Sequence, residues 1–181
     1  GMRNYHCNRI EKSYSIQNYQ GSSLYLNINT DKANRLKAYH KYSIDHQNYY
    51  YDPENKRFYG LPGIMIHVSE KDYPEISLHK QAYEDENFVD SDPEDEIIYH
   101  WQQNDSLIIM DPYFRLPAQR PWRSHSLTVN LRIPDGVTLN ISQSLSTYLK
   151  DYDQNDQYWS AEKLAGNRWI IKEDGLQMIS E

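Results

Sequence analysis

Hydrophobic and polar residues alternate with a period of two along several short stretches, the pattern of strands that bury one face. Leu24, Leu26 and Ile28 alternate with Tyr25 and Asn27 across Ser22 to Ile28. Ile64, Ile66 and Val68 alternate beyond a break at Gly60 to Gly63, and Pro74 opens a further strand through Ile76 and Leu78. The clearest run is Leu127, Val129, Leu131 and Ile133 against Thr128, Asn130 and Arg132. Pro134-Asp135-Gly136 then predicts a turn, because Pro presets φ and Gly accepts a positive φ. Val137, Leu139 and Ile141 resume the alternation.

Weaker signals fill the intervals. Residues 1 to 20 are polar and read as a partly ordered lead-in, with 21–181 forming one domain. Asn29-Thr30-Asp31 reads as a turn and Leu36 to Tyr42 as a strand. Tyr49-Tyr50-Tyr51 enters a turn led by Pro53. Strands are expected at Ile97 to Trp101 and Leu107 to Met110, joined by a turn at Gln103-Asn104-Asp105. An irregular loop is expected from Tyr113 to Ser124. Residues 142 to 165 hold the helical material, at Ser144 to Leu149 and Ser160 to Leu164, the latter stopped by Gly166. Trp169 to Lys172 and Leu176 to Ile179 pair across Asp174-Gly175, a tight-hairpin dipeptide.

Many short strands and little helix give an all-β class, either an antiparallel sandwich or an irregular β-helix. Composition is compatible with this. Hydrophobic residues make up 38% of the 181 residues, below the roughly 45–50% of ordinary domains. Seventeen Tyr and four Trp supply the missing apolar surface. The net charge of −7, with Lys and Arg scattered, argues against nucleic acid as a partner. The single Cys7 excludes an internal disulfide framework and a thiolate metal cluster. Gly1 ahead of Met2 reads as a cloning remnant, with the natural protein beginning earlier.

Candidate chemistry is sparse. His6, His40, His46, His67, His79, His100 and His125 fall in no metal-ligand spacing, and no G-x-S-x-G elbow or Gly-rich phosphate loop occurs. His67, His79 and His100 stand in or beside predicted strands, where they could converge on a carboxylate. Eight of the thirteen residues from Glu84 to Glu96 are acidic, without the spacing of an EF-hand. A solvated loop with a helical turn is the simpler reading. Tyr49, Tyr50, Tyr51, Tyr113 and Trp122 are candidates for a sugar or protein contact surface. No catalytic, cofactor-binding or metal-ligating residue is assigned, and no cofactor is expected.

One ordered set of motifs goes further. Asn104-Asp105-Ser106-Leu107 leads to Asp111-Pro112-Tyr113-Phe114-Arg115-Leu116-Pro117. Trp122-Arg123 then precedes Leu127-Thr128-Val129-Asn130-Leu131-Arg132-Ile133-Pro134-Asp135-Gly136, and Trp169 precedes Glu173-Asp174-Gly175-Leu176. In this order they resemble the C-terminal extracytoplasmic region of phage shock protein C-type proteins of Bacteroidetes, and more distantly head-type adhesin domains. The resemblance implies a right-handed β-helix-like stack of short strands. It also implies a periplasmic position, tethered to the inner membrane through segments outside this chain, and a part in envelope stress. The acidic run departs from the basic, Ala-containing segment common in those proteins.

Three functions are therefore expected in order. The first is a non-enzymatic binding or scaffold domain whose partner is an envelope protein or cell-envelope component. The second is a cell-wall sugar- or peptide-acting hydrolase using convergent His and carboxylates. The third is a self-associating module in which residues 142 to 165 and the Asp174-Gly175 hairpin cap an exposed edge. Oligomeric state is left open.

Overall fold

The computed structural model describes residues 5–19, 21–44, 46–85, 92–117 and 124–179. Strand β1 (Tyr5–Ser15) is followed by β2 (Ser23–Ile28) and a short helix, α1 (Thr30–Leu36). A meander of β3 (His40–Ile44), β4 (Gln47–Asp52) and β5 (Arg57–Gly60) leads to β6 (Gly63–Ser69) and the long β7 (Glu75–Asp85). Helix α2 (Pro93–Glu96) precedes β8 (Trp101–Asn104), β9 (Leu107–Met110) and β10 (Phe114–Leu116). Next come β11 (Ser126–Pro134), β12 (Thr138–Ile141) and a 3-10 turn at Gln143–Leu145. The chain closes with β13 (Tyr152–Gln154), β14 (Gln157–Trp159), α3 (Ala161–Leu164), β15 (Arg168–Lys172) and β16 (Gly175–Ile179).

The strands form three larger sheets and one hairpin. Two sheets enclose the core, ordered β1-β7-β11-β6 and β16-β15-β12-β2-β9-β8. The chain passes from the first sheet to the second between β1 and β2, between β7 and β8, and between β11 and β12. Parallel pairs β11/β6, β12/β2 and β2/β9 run through both sheets, as coils of a solenoid do and hairpins do not. The fold is all-β, a β-helix-like stack.

Periodicity explains the core. Val129, Leu131 and Ile133 on β11 face Leu24 and Leu26 of β2, Ile108 of β9 and Leu139 of β12 in one continuous apolar cluster. Each fully buried aliphatic side chain there contributes about 1.5–3 kcal/mol. The β11–β12 corner has the expected turn, with Gly136 at φ +89° and its N–H donating to the carbonyl of Ile171.

Several elements differ from expectation. The polar lead-in contains β1, whose 11 residues pair antiparallel with β7 along their full length. Asn29 begins a helix rather than a turn, its side-chain oxygen accepting from the Lys32 N–H. Leu36 accordingly ends α1, and the strand that follows starts only at His40. Between Ile97 and Trp101 the ladder is a single bridge from Ile98 to Arg115, and β8 starts at Trp101. Within Tyr113 to Ser124, β10 adds a strand to the Tyr-rich meander, while residues 118–123, Trp122 among them, lie outside the described part. Residues 142 to 165 keep their short helical turns at Gln143–Leu145 and Ala161–Leu164, but the β13–β14 hairpin separates them.

Candidate binding surface

The third sheet, ordered β10-β5-β4-β3, is antiparallel throughout and rich in tyrosine. Its alternation divides the aromatic residues between two faces. Tyr49, Phe114 and Leu116 point inward, each no more than 4% exposed. The Tyr49 hydroxyl lies 2.6 Å from Gln47 Oε1 and 3.0 Å from the carbonyl oxygen of His125. Gly60 opposes Phe114 across the β5–β10 ladder, and a Cβ built there would clash with the tip of the Phe114 ring.

The opposite face carries a cross-strand row. Lys41 pairs with Tyr50, Tyr50 with Tyr59, and Tyr59 with Arg115, so one residue from each strand stands in register. Two residues outside the strands complete it. Tyr39 stacks on Tyr59 with ring centroids 5.4 Å apart and planes 11° from parallel. Tyr113 meets the same ring edge-on at 4.6 Å. Tyr39, Tyr50, Tyr59 and Tyr113 are all half-buried, while Lys41 and Arg115 are exposed. The result is an aromatic platform bordered by cations.

The electrostatics of the platform follow from one carboxylate beneath it. Burial pushes the Asp52 carboxyl up, but hydrogen bonds from Asn55, the Glu54 N–H and Tyr39 outweigh this and hold it below its ordinary range. Asp52 is therefore a satisfied anion that anchors the β4–β5 turn. Tyr39 is pushed up to about 12, first by burial and then by the charge of Asp52. Burial raises Tyr59 too, and Arg115 and Arg57 act in the opposite direction. Both phenols are neutral hydrogen-bonding groups at physiological pH.

The structure separates the histidines expected to converge. His67 and His79 lie on β6 and β7 with β11 between them, opposite Arg132 and Thr128 respectively. The ring nitrogens of His67 are 2.8 Å from Asn130 Oδ1 and 3.2 Å from Gln154 Oε1, tying β6 to β11 and β13. His100 is exposed ahead of β8. His125 is buried against Glu96 of α2. His40 and His46 are exposed in and around β3, and Cys7 is half-buried on β1.

The described end of the acidic run is structural. Glu94 accepts from Lys12 at 3.1 Å and from Lys80 at 3.4 Å, tying α2 to β1 and β7. Among the described residues no three His, Cys, Asp or Glu side chains gather as a metal-ligand set. A cleft of about 570 Å³ where the β6–β7 loop meets the β11–β12 corner is lined by Glu70, Asp72, Asp135 and Glu173, with no histidine among its lining residues.

Of the tyrosines singled out in the sequence, Tyr50 and Tyr113 belong to the platform, Tyr49 is core, and Tyr51 packs on Phe58 at 4.7 Å. Tyr39, Tyr59 and Arg115 were missed, since only strand register brings them together. No helix among the described residues is long and apolar enough to cross a membrane. Residues 50–179 match a family model described as the ToastRack found in some PspC, in its C-terminal form. That span contains Tyr50, Arg57, Tyr59, Tyr113 and Arg115 but not β1 to β3. No curated protein and no solved structure matches the chain.

Proposed function

The chain belongs to the ToastRack domains found in some PspC proteins, and on that premise we propose that it is a non-enzymatic, extracytoplasmic binding domain of an envelope-stress membrane protein. Its partner is a component of the cell envelope. The observation that carries this reading is the Tyr39–Tyr59–Tyr113 platform edged by Lys41 and Arg115. Tyrosine and arginine supply large contact area and directional hydrogen bonds at modest entropic cost, so they dominate recognition surfaces. The sheet fixes Lys41, Tyr59 and Arg115 in register, which reduces the ordering cost of binding further. The hydrolase alternative gains no comparable support, because His67 and His79 stand on strands separated by β11 and His67 is engaged in tying strands together.

Sedimentation with an envelope preparation tests this reading. Wild-type domain is expected in the pellet, and a Lys41→Glu/Arg115→Glu variant in the supernatant with its melting temperature retained, both side chains being exposed. Equal partitioning of the two, or release of soluble sugar or peptide fragments by the wild type, would overturn it.

A further inference from the structure

β6 and β16 each end one of the two core sheets, and each is covered on its outer edge from within the chain. Gln154 Nε2 donates to the Ile66 carbonyl of β6 at 3.1 Å, and Ile64 bonds through its backbone to Tyr148 and Lys150. The Gln157 amide clasps Leu176 of β16, accepting its N–H at 2.9 Å and donating to its carbonyl at 3.1 Å. Such plugs keep a sheet from adding a strand. β1 ends the first sheet on its other side with 11 residues, and no described strand lies beyond it.

The register of β1 on β7 fixes which backbone groups face that open edge. The Ile16 N–H donates to the Pro74 carbonyl at 2.9 Å, one step past the Ser15–Glu75 pair. Antiparallel pairing alternates, so Tyr14, Lys12, Ile10 and Asn8 also turn their backbone groups toward β7. Ser15, Ser13, Glu11, Arg9 and Cys7 therefore turn theirs to the open edge. Their side chains share the outer face of the sheet, where Ser13 meets Ser77 at 2.6 Å and Glu11 meets Arg132 at 3.3 Å. Arg9 and Glu11 are both exposed, and Arg9 has no ion-pair partner among the described residues.

Two copies of this edge fit each other in one register. Open groups meet open groups only when odd-numbered residues face odd-numbered ones, so a symmetric pair has its axis on a single residue. An axis at Arg9 sets arginine against arginine, and one at Glu11 sets glutamate against glutamate. Axes farther out shorten the ladder. An axis at Ile10, the midpoint of β1, sets Arg9 against Glu11 of the second copy and Cys7 against Ser13, each twice. The half-buried Ile10 side chains then face each other in a non-hydrogen-bonded pair, where side chains approach most closely.

We infer that the chain forms a two-fold dimer through β1, antiparallel about Ile10, which joins two four-stranded sheets into one of eight strands. The backbone ladder supplies the affinity, and the exposed ion pairs set the register. Charged residues on an edge ordinarily repel a second strand, but the order Arg9-Ile10-Glu11 is self-complementary. This goes beyond the proposed function and does not rest on the tyrosine platform, which lies on another sheet.

Sedimentation velocity of the whole chain is expected to show a dimer. Arg9→Glu sets glutamate against Glu11 and should weaken dimerisation at least tenfold, while Arg9→Glu/Glu11→Arg should restore it. Both side chains are exposed, so the variants keep the fold of the single chain. In a Cys7→Ser background, Ile10→Cys should form an inter-chain disulfide on mild oxidation, because residues facing each other in such a pair stand about 4.5 Å apart. Ser13→Cys in the same background should stay reduced. A chain that stays monomeric at every concentration overturns the inference, as does a dimer that Arg9→Glu leaves intact or that the charge exchange fails to restore. Cross-linking of Ser13→Cys rather than Ile10→Cys overturns it as well.

Discussion

Glu96 and His125 meet in the interior, the carboxylate Oε2 2.7 Å from Nε2, with the two side chains 7% and 5% exposed. The contact joins the end of α2 to the start of β11, and the carbonyl of the same His125 faces the Tyr49 hydroxyl of the tyrosine sheet. Three separate segments are thus held at one point. Removing either partner strands a buried polar group, which costs about 1–3 kcal/mol or more if it is charged. Glu96→Leu and His125→Leu are each expected to lower stability by about 2–4 kcal/mol, and the double variant by less than their sum. Urea titration of the four proteins measures this, and strict additivity would show that the contact is not coupled.

Gly60 is required by the ring it faces. Phe114 is 1% exposed, and the tip of its ring stands where a methyl group at Gly60 would go. Gly60→Ala should destabilise by about 1–3 kcal/mol through overpacking. Adding Phe114→Leu should recover part of that loss by thermal unfolding, although it is costly alone. A Gly60→Ala melting temperature equal to wild type would contradict the close approach.

Two neighbouring tryptophans should respond differently to the same change. Trp169 and Trp159 pack edge-on at 4.9 Å, and Trp169 Nε1 donates to the Leu164 carbonyl at 3.1 Å. The indole N–H of Trp159 is buried and has no hydrogen-bond partner. Trp169→Phe loses a satisfied bond and core volume, at an expected cost of about 2–3 kcal/mol. Trp159→Phe removes an unsatisfied donor and should cost less than about 1 kcal/mol. Denaturation midpoints of the pair decide it, and the reverse order would refute the assignment.

The Asp52 turn gives a signed pH dependence. Its carboxyl is held below its ordinary value in the folded protein, so its contribution to stability is fully present above the unfolded value of about 3.9. The contribution is lost as pH falls through the lower folded value. Asp52→Asn should therefore be less stable than wild type near neutrality, and the gap should close in acid. Tyr39 has the opposite sign, its stability contribution being present below about pH 10 and lost as pH rises through about 12. Phenolate absorbance should show a late-titrating tyrosine that Tyr39→Phe removes.

The C-terminal hairpin is a structural part of the core rather than an appendage. β15 pairs with β12, and Trp169, Ile171 and Leu176 are each no more than 1% exposed. Deleting Trp169 to Glu181 uncovers the apolar surface of β12 and should lower the melting temperature by well over about 10 °C, at about 2–4 °C per kcal/mol. An unchanged transition in differential scanning calorimetry would refute it.

Much of the core was legible because period-two burial writes itself into sequence. Leu127 to Ile133 and Val137 to Ile141 are apolar where they face inward and polar elsewhere. β1 was not legible for the same reason. Its residues Glu11, Lys12, Ser13, Tyr14 and Ser15 are all exposed, so it has little alternation to show. It is held by the backbone ladder with β7 and by distant polar partners, such as Ser13 with Ser77 and Glu11 with Arg132. Helix α1 was hidden because Asn-Thr-Asp is equally good turn and N-cap chemistry. The platform was half visible. Tyr50 and Tyr113 drew notice as aromatics, but only the register of four strands brings them beside Tyr39, Tyr59 and Arg115.

The placement of β2 between β9 and β12 has a consequence for how the molecule comes to exist. Tyr25 finds its neighbour in Leu107, and Leu24 finds its own in Leu139. Such pairings have high contact order, and the loop-closure cost comes before any burial repays it. A chain emerging N-terminus first therefore holds an unpaired, Leu-rich strand through most of its passage. Its folding waits on its last third, and in that interval the strand is open to aggregation or to a chaperone.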